Sequence, residues 1–248
     1  MEESYPLIGL VTVAYLLAGF VKGVIGMGLP TVAIGVLAVA MTPAQAAAII
    51  IAPAIATNVW QMVAGPDLAM LARRLGPMLA MLCVGAWAGS DILTGGNARQ
   101  AALGLGLALI AYAVFGLSKI RLALPQRAEI WVGPLVGFAT GIVLAATGVF
   151  VLPALPYMQA IGLEKDRLVQ ALGLHFTVST LVLALVLWSG GAFGLSLATL
   201  SLFAIVPAVI GMLIGQRMRG RMEVATFRVW LFVGLLLLGL HLTWRNLL

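Results

Sequence analysis

Lys22 stands in the run Gly19-Phe20-Val21-Lys22-Gly23-Val24-Ile25-Gly26-Met27-Gly28-Leu29-Pro30, among apolar and small residues only. A central lysine in a bilayer costs roughly 2.5–3.5 kcal/mol on translocon scales, so it needs a partner or a task. Successive glycines permit positive φ and close backbone approach, and the amides of a helix that restarts after such a break carry about half a positive charge. Lys22 with Gly23, Gly26 and Gly28 would thus suit a small anion. The plainer alternative is that the glycines serve close helix packing and that Lys22 snorkels to the interface.

Asn58 and Gln61 are three residues apart in IAPAIATNVWQMV, on one helical face, and could donate amide hydrogen bonds to an oxyanion or simply bond between helices. Thr140 sits where GFATG (137–141) repeats GFVKG (19–23), offering a hydroxyl where the first occurrence has a charge. Thr147 and Gly148 belong to a second cluster of breakers. Gln170, His175, Thr177, Ser179 and Thr180 open the apolar stretch that follows, and His175 alone among them titrates near neutral pH. The expected substrate-binding set is therefore Lys22, Gly23, Gly26, Gly28, Asn58, Gln61, Thr140, Thr147, Gly148 and His175.

Other chemistries lack their residues. Asp67, Asp91, Glu129, Glu164, Asp166 and Glu223 all fall between apolar stretches, with Glu2 and Glu3 terminal, so a carboxylate proton relay is not expected. Cys83 is the single cysteine, which excludes an intramolecular disulfide, and there is no P-loop or HExxH. No cofactor and no metal site are expected.

The elements that must position these residues follow from composition. Of 248 residues 62% are hydrophobic and 9% charged, with a mean hydropathy of +1.13; soluble domains carry roughly 25% charged residues. Apolar stretches lie at about 6–41, 44–64, 68–90, 98–118, 130–153, 168–189, 194–216 and 228–247, each about the 20 residues a bilayer crossing needs or longer. The chain reads as an all-α polytopic membrane protein, and its start, with Glu2 and Glu3, does not read as a cleavable signal peptide. The first and fifth stretches are dense in Gly and Pro and are expected to be broken. GAWAG (85–89) returning as GMLIG (211–215) adds a second repeat. We divide the chain into a first repeat at 1–120, a basic linker at 121–129 and a second repeat at 130–248.

The net charge of +6 is spread over loops, which indicates topology rather than a nucleic-acid partner. If each broken segment enters and leaves on one side, the repeats are inverted, each a re-entrant segment plus three crossings. One side then holds Arg73, Arg74, Lys119, Arg121, Arg127, Lys165, Arg167, Arg217, Arg219, Arg221 and Arg228, and the other only Arg99 and Arg245. Fully crossing segments would spread the bases almost evenly, so the inverted arrangement, with both termini outside, fits the cytoplasmic excess of Lys and Arg.

Three stretches carry a resemblance: GFVKGVIGMGLP at 19–30, TPAQAAAIIIAPAIATNVWQ at 42–61 and TGVFVLPALPYMQAIGLEKDRLVQALGLHFTVST at 147–180. Here the sequence resembles the TauE/SafE family of sulfite exporters, over nearly the whole chain. The resemblance implies a multi-pass carrier of the bacterial inner membrane, with around eight helical segments in two related halves. It also implies export of sulfite or an organosulfonate without an organic cofactor. The expected function is a secondary transporter, not an enzyme, with a midplane site at the two breaks. Its expected partners are a small anionic substrate and the lipid bilayer, with a homo-oligomer left open. The rivals are a channel or uptake carrier for another anion, a membrane-embedded enzyme, and a purely structural subunit.

Overall fold

The structure, a computed structural model, describes residues 4–95, 97–118, 122–163 and 165–247. Glu2, Glu3, Lys119, Arg121 and Glu164, and the 120/121 repeat boundary, lie outside the described residues. The described residues form twelve helices: α1 (Ser4–Ile25), α2 (Leu29–Leu37), α3 (Pro43–Ile49), α4 (Ile51–Val63), α5 (Leu68–Ala88), α6 (Ser90–Thr94), α7 (Ala98–Leu117), α8 (Gln126–Thr147), α9 (Ala154–Ala160), α10 (Lys165–Ser189), α11 (Leu195–Met218) and α12 (Val224–Leu247). No strand occurs among the described residues. Among the described residues seven helices are long and apolar enough to cross a membrane, and the bent pair α3–α4 makes up to eight.

The breaks are narrower than the glycine density suggests. α1 runs unbroken through Gly19 and Gly23 to Ile25, and α8 through Gly133, Pro134, Gly137 and Gly141 to Thr147. Within these two stretches the positive-φ turns fall at Gly26 and Gly28, with φ of 88° and 99°, and at Gly148, with φ of 74°. The glycines inside the helices serve packing instead. A Cβ on Gly19 or Gly23 would strike the carbonyl of Ala208 or Met212 on α11, and one on Gly215 the carbonyl of Phe20. In the same way a Cβ on Gly137 or Gly141 would strike Met78 or Leu82 on α5, and one on Gly85 the carbonyl of Phe138. Small residues let parallel helices close to backbone contact, where dispersion holds them in a medium that supplies no hydrophobic drive. These contacts align Gly85 with Gly215, one turn away from the Gly85–Gly211 register that the motifs alone suggest.

α1 thus packs on α11 and α5 on α8, while α7 packs on α12 and α4 on α10. The bend of 49° between α3 and α4 is an addition to the sequence expectation. Its cause is Pro53, which has no N–H for the Ile49 carbonyl one turn earlier. The nearby Ala52 amide bonds to Ser201 Oγ on α11 at 2.9 Å.

Both hairpins return to where they start. Leu124, just before α8, donates its amide to Ala160 O at the end of α9 at 2.8 Å. The α2–α3 turn is tied to the end of α12 by Arg245 Nη1 donating to Val39 O at 2.8 Å. α2 has nine residues, roughly 13 Å of rise, too short to cross alone. Arg74, Arg127, Arg167, Arg219 and Arg228 gather with the 64–67, 122–127 and 161–163 segments at one end of the bundle. Arg99 and Arg245 lie at the other, where Arg99 bonds Asn246 O and Leu247 O. All six tryptophans point outward. Trp60, Trp131 and Trp230 ring the basic end, and Trp87, Trp188 and Trp244 the other, as aromatic belts do at the two faces of a bilayer.

Candidate functional site

Lys22 lies in the last turn of α1 and is only 5% exposed. Its ammonium does not reach for the interface. Nζ donates to Thr57 Oγ1 at 3.0 Å and to Asn58 Oδ1, both on α4. Thr57 is free to accept because its own proton goes to Pro53 O at 2.8 Å, an acceptor one turn back. Asn58 Nδ2 in turn donates to Thr180 Oγ1 on α10 at 3.4 Å, and Thr180 donates to Phe176 O at 2.6 Å. Lys22, Thr57, Asn58 and Thr180 form one buried chain from α1 through α4 to α10.

Lys22 and Thr57, at the near end of this chain, line a cavity of about 200 Å³ that opens among α1, α4, α10 and α11 at the basic end, while Asn58 and Thr180 lie behind it. Lys22, Gly23, Gly26, Thr57, Gln61 and Arg219 line it, with Trp60, Val169 and Met212 as apolar wall. Gln61 is a brace: Nε2 donates to Gly26 O at 3.1 Å and to Val169 O at 3.0 Å, which engages both amide protons and fixes the α1–α2 turn against α10. Gly26 has open space where a Cβ would be, so its positive φ alone calls for glycine. Gly28 caps α2 and does not line the cavity.

The electrostatics are unbalanced. Among the described residues the recorded ion pairs are Arg74 with Glu129 at 2.7 Å and Arg167 with Asp67 at 2.8 Å, both at helix ends. Lys22 has neutral acceptors only. In its protonated form Lys22 has no compensating carboxylate among these partners, so the ammonium makes the cavity attractive to an anion. No group of three or more His, Cys, Asp or Glu that could hold a metal occurs among the described residues.

The remaining expected residues lie elsewhere. Thr140 is fully buried in α8 and donates to Val136 O at 2.7 Å. Thr147 Oγ1 donates to Val143 O and receives the Val149 amide at 3.1 Å, turning the chain at Gly148. His175 Nε2 meets Phe150 O at 2.9 Å, and its Nδ1 has no partner. A Cβ on Gly148 would press on Ala47 and Ile34, so this second break packs against α2 and α3. Thr140, Thr147, Gly148 and His175 do not line the Lys22 cavity. Thr57 and Thr180 were missing from the expected set; the signal for Thr57 was its adjacency to Asn58. A larger cavity of about 570 Å³ at the other end contains Arg99 and Arg245, but backbone carbonyls hold both guanidiniums.

A model of the family described as sulfite exporter TauE/SafE matches residues 11–242. No curated protein and no solved structure matches the chain.

Proposed function

We propose, from the premise that the chain belongs to the TauE/SafE sulfite exporter family, that it is a secondary carrier exporting sulfite or a small organosulfonate across the bacterial inner membrane. The observation that carries this reading is the buried Lys22 ammonium, bonded to neutral Thr57 and Asn58 at the closed end of a cavity that opens toward the basic loops. An oxyanion entering there gains a charge-assisted hydrogen bond from the third ammonium proton. Arg219 at the rim draws anions in.

Two related halves of opposite orientation supply the alternating access. The reading is supported by the equivalent pairs α1–α11 and α5–α8, by hairpins that return to their starting end, and by bases concentrated at one end. With the basic end cytoplasmic, an inside-negative potential expels an anion by about 2.3 kcal/mol per charge per 100 mV, and no coupled ion is required.

Reconstituted protein tests this. Sulfite, thiosulfate, sulfoacetate and taurine are screened for binding and then for counterflow in proteoliposomes. Saturable movement of at least one sulfur anion is expected; its absence for all four, in protein that remains folded, overturns the reading.

A further inference from the structure

Lys22 and Thr140 occupy matching turns of α1 and α8. Each lies between two glycines, Gly19 with Gly23 and Gly137 with Gly141, that meet carbonyls one turn apart on the partner helix in the same order. A second match runs through the other pair. α3 begins at Pro43 and α10 at Lys165, and counted from those starts Thr57 falls with Ser179 and Asn58 with Thr180. The bond from Asn58 Nδ2 to Thr180 Oγ1 then joins a residue to its own counterpart, as a contact on an exchange axis must.

The charged group Lys22, Thr57 and Asn58 accordingly has a neutral counterpart in Thr140, Ser179 and Thr180, on the contacting helices α8 and α10. All three are fully buried. Thr140 and Thr180 donate to carbonyls of their own helices, but Ser179 Oγ has no partner. A buried hydroxyl with no partner in the protein is costly and needs an account, and a role in another state of the carrier supplies one.

We infer that Thr140, Ser179 and Thr180 form a second, uncharged subsite for the same oxyanion, on the far side of the Asn58–Thr180 contact from the Lys22 cavity. The inference rests on the transport reading above. Thr140 and Ser179 lie past the midpoints of α8 and α10 toward the end that carries Arg99 and Arg245. In this conformation the Lys22 side is open and the Ser179 side is shut. Reversing the closure opens Ser179 to the far end and seals Lys22. The anion is gripped by an ammonium on one face and by hydroxyls alone on the other. That asymmetry leaves the equilibrium across the membrane unchanged but eases release at the far face.

The test uses the full-length protein with Cys83→Ala, because Cys83 is exposed. Ser179→Cys and Thr57→Cys are each treated with a membrane-impermeant thiol reagent applied to one face of oriented vesicles. The thiol introduced at 179 is expected to react only from the far face, and the one at 57 only from the basic face. Reaction at 179 from the basic face, or from neither face, overturns the inference. Ser179→Ala should raise the half-saturating sulfite concentration about threefold to tenfold from the far face only, with Ser179→Thr restoring it. An equal effect on both faces, or none, counts against the subsite. Absence of sulfite flux in the unmodified protein, with far-face reaction at 179 intact, would fail the sulfite reading while the two-chamber arrangement stands.

Discussion

Lys22 Nζ donates to Asn58 Oδ1, joining the last turn of α1 to the middle of α4 at the closed end of the basic-side cavity. The bond holds Nζ in place through a neutral acceptor, so no carboxylate offsets the ammonium. Lys22→Ala should weaken sulfite binding by about 1.5–3 kcal/mol, the range of a charged hydrogen bond, whereas Arg221→Ala, in the α11–α12 loop, should change it little. Calorimetric titration of purified protein measures both. Lys22→Arg should recover only part of the loss, because the planar guanidinium does not fit the Thr57–Asn58 pair as an ammonium does. Equal affinity in Lys22→Ala and the unmodified protein would place the anion elsewhere.

The glycine seams should be sensitive to a single methyl group. Gly23→Ala and Gly141→Ala each force a Cβ onto a backbone carbonyl of the partner helix, and overpacking of this kind costs about 1–3 kcal/mol. Gly9→Ala, on the same helix as Gly23 but with nothing within 4 Å of its Cβ, should be neutral or mildly stabilising. Thermal unfolding of the detergent-solubilised variants ranks them; a Gly9→Ala protein as unstable as Gly23→Ala would contradict the packing account.

Loop sidedness gives an independent check on the two halves. In a Cys83→Ala background, Gln126→Cys and Arg221→Cys should be labelled in inside-out vesicles and protected in whole cells, with Asn246→Cys showing the reverse. Gln126 and Arg221 on opposite faces would refute the inverted arrangement, since parallel halves separate those two loops.

Energetics should be electrical. The described carboxylates lie at helix ends, and His175 is committed to Phe150 O through Nε2. Sulfur-anion flux in proteoliposomes should therefore follow an imposed potential with no pH gradient, and His175→Gln should keep that response. Electrically silent flux that disappears in His175→Gln would make this imidazole the coupling group.

How far the sequence could be read depended on what each residue type reveals by itself. Lys22 and Asn58 were legible because a charge and an amide are conspicuous in apolar stretches that cannot solvate them. Thr57 was not, and Thr180 stood out only as one of several polar residues in its stretch, since a membrane-helix hydroxyl can bond its own helix one turn back and then shows no need of a partner. Gly26 and Gly23 look alike in sequence, yet one turns the chain at positive φ and the other abuts Met212 in an unbroken helix. Only tertiary neighbours separate those roles. Eight long elements were visible from hydropathy, while the bend at Ile50 was foreshadowed by Pro53 alone.

The tight pairs α1–α11 and α5–α8 each join a helix from the first half to one from the second. A ribosome delivers α1 long before α11 exists, so the seam of Gly19 and Gly23 must wait in the lipid without its partner. Native assembly is consequently a late event, completed only when the last third of the chain has entered the membrane. A premature stop in the linker leaves α1 and α5 with bare glycine faces, orphaned helices of the kind that membrane quality control removes.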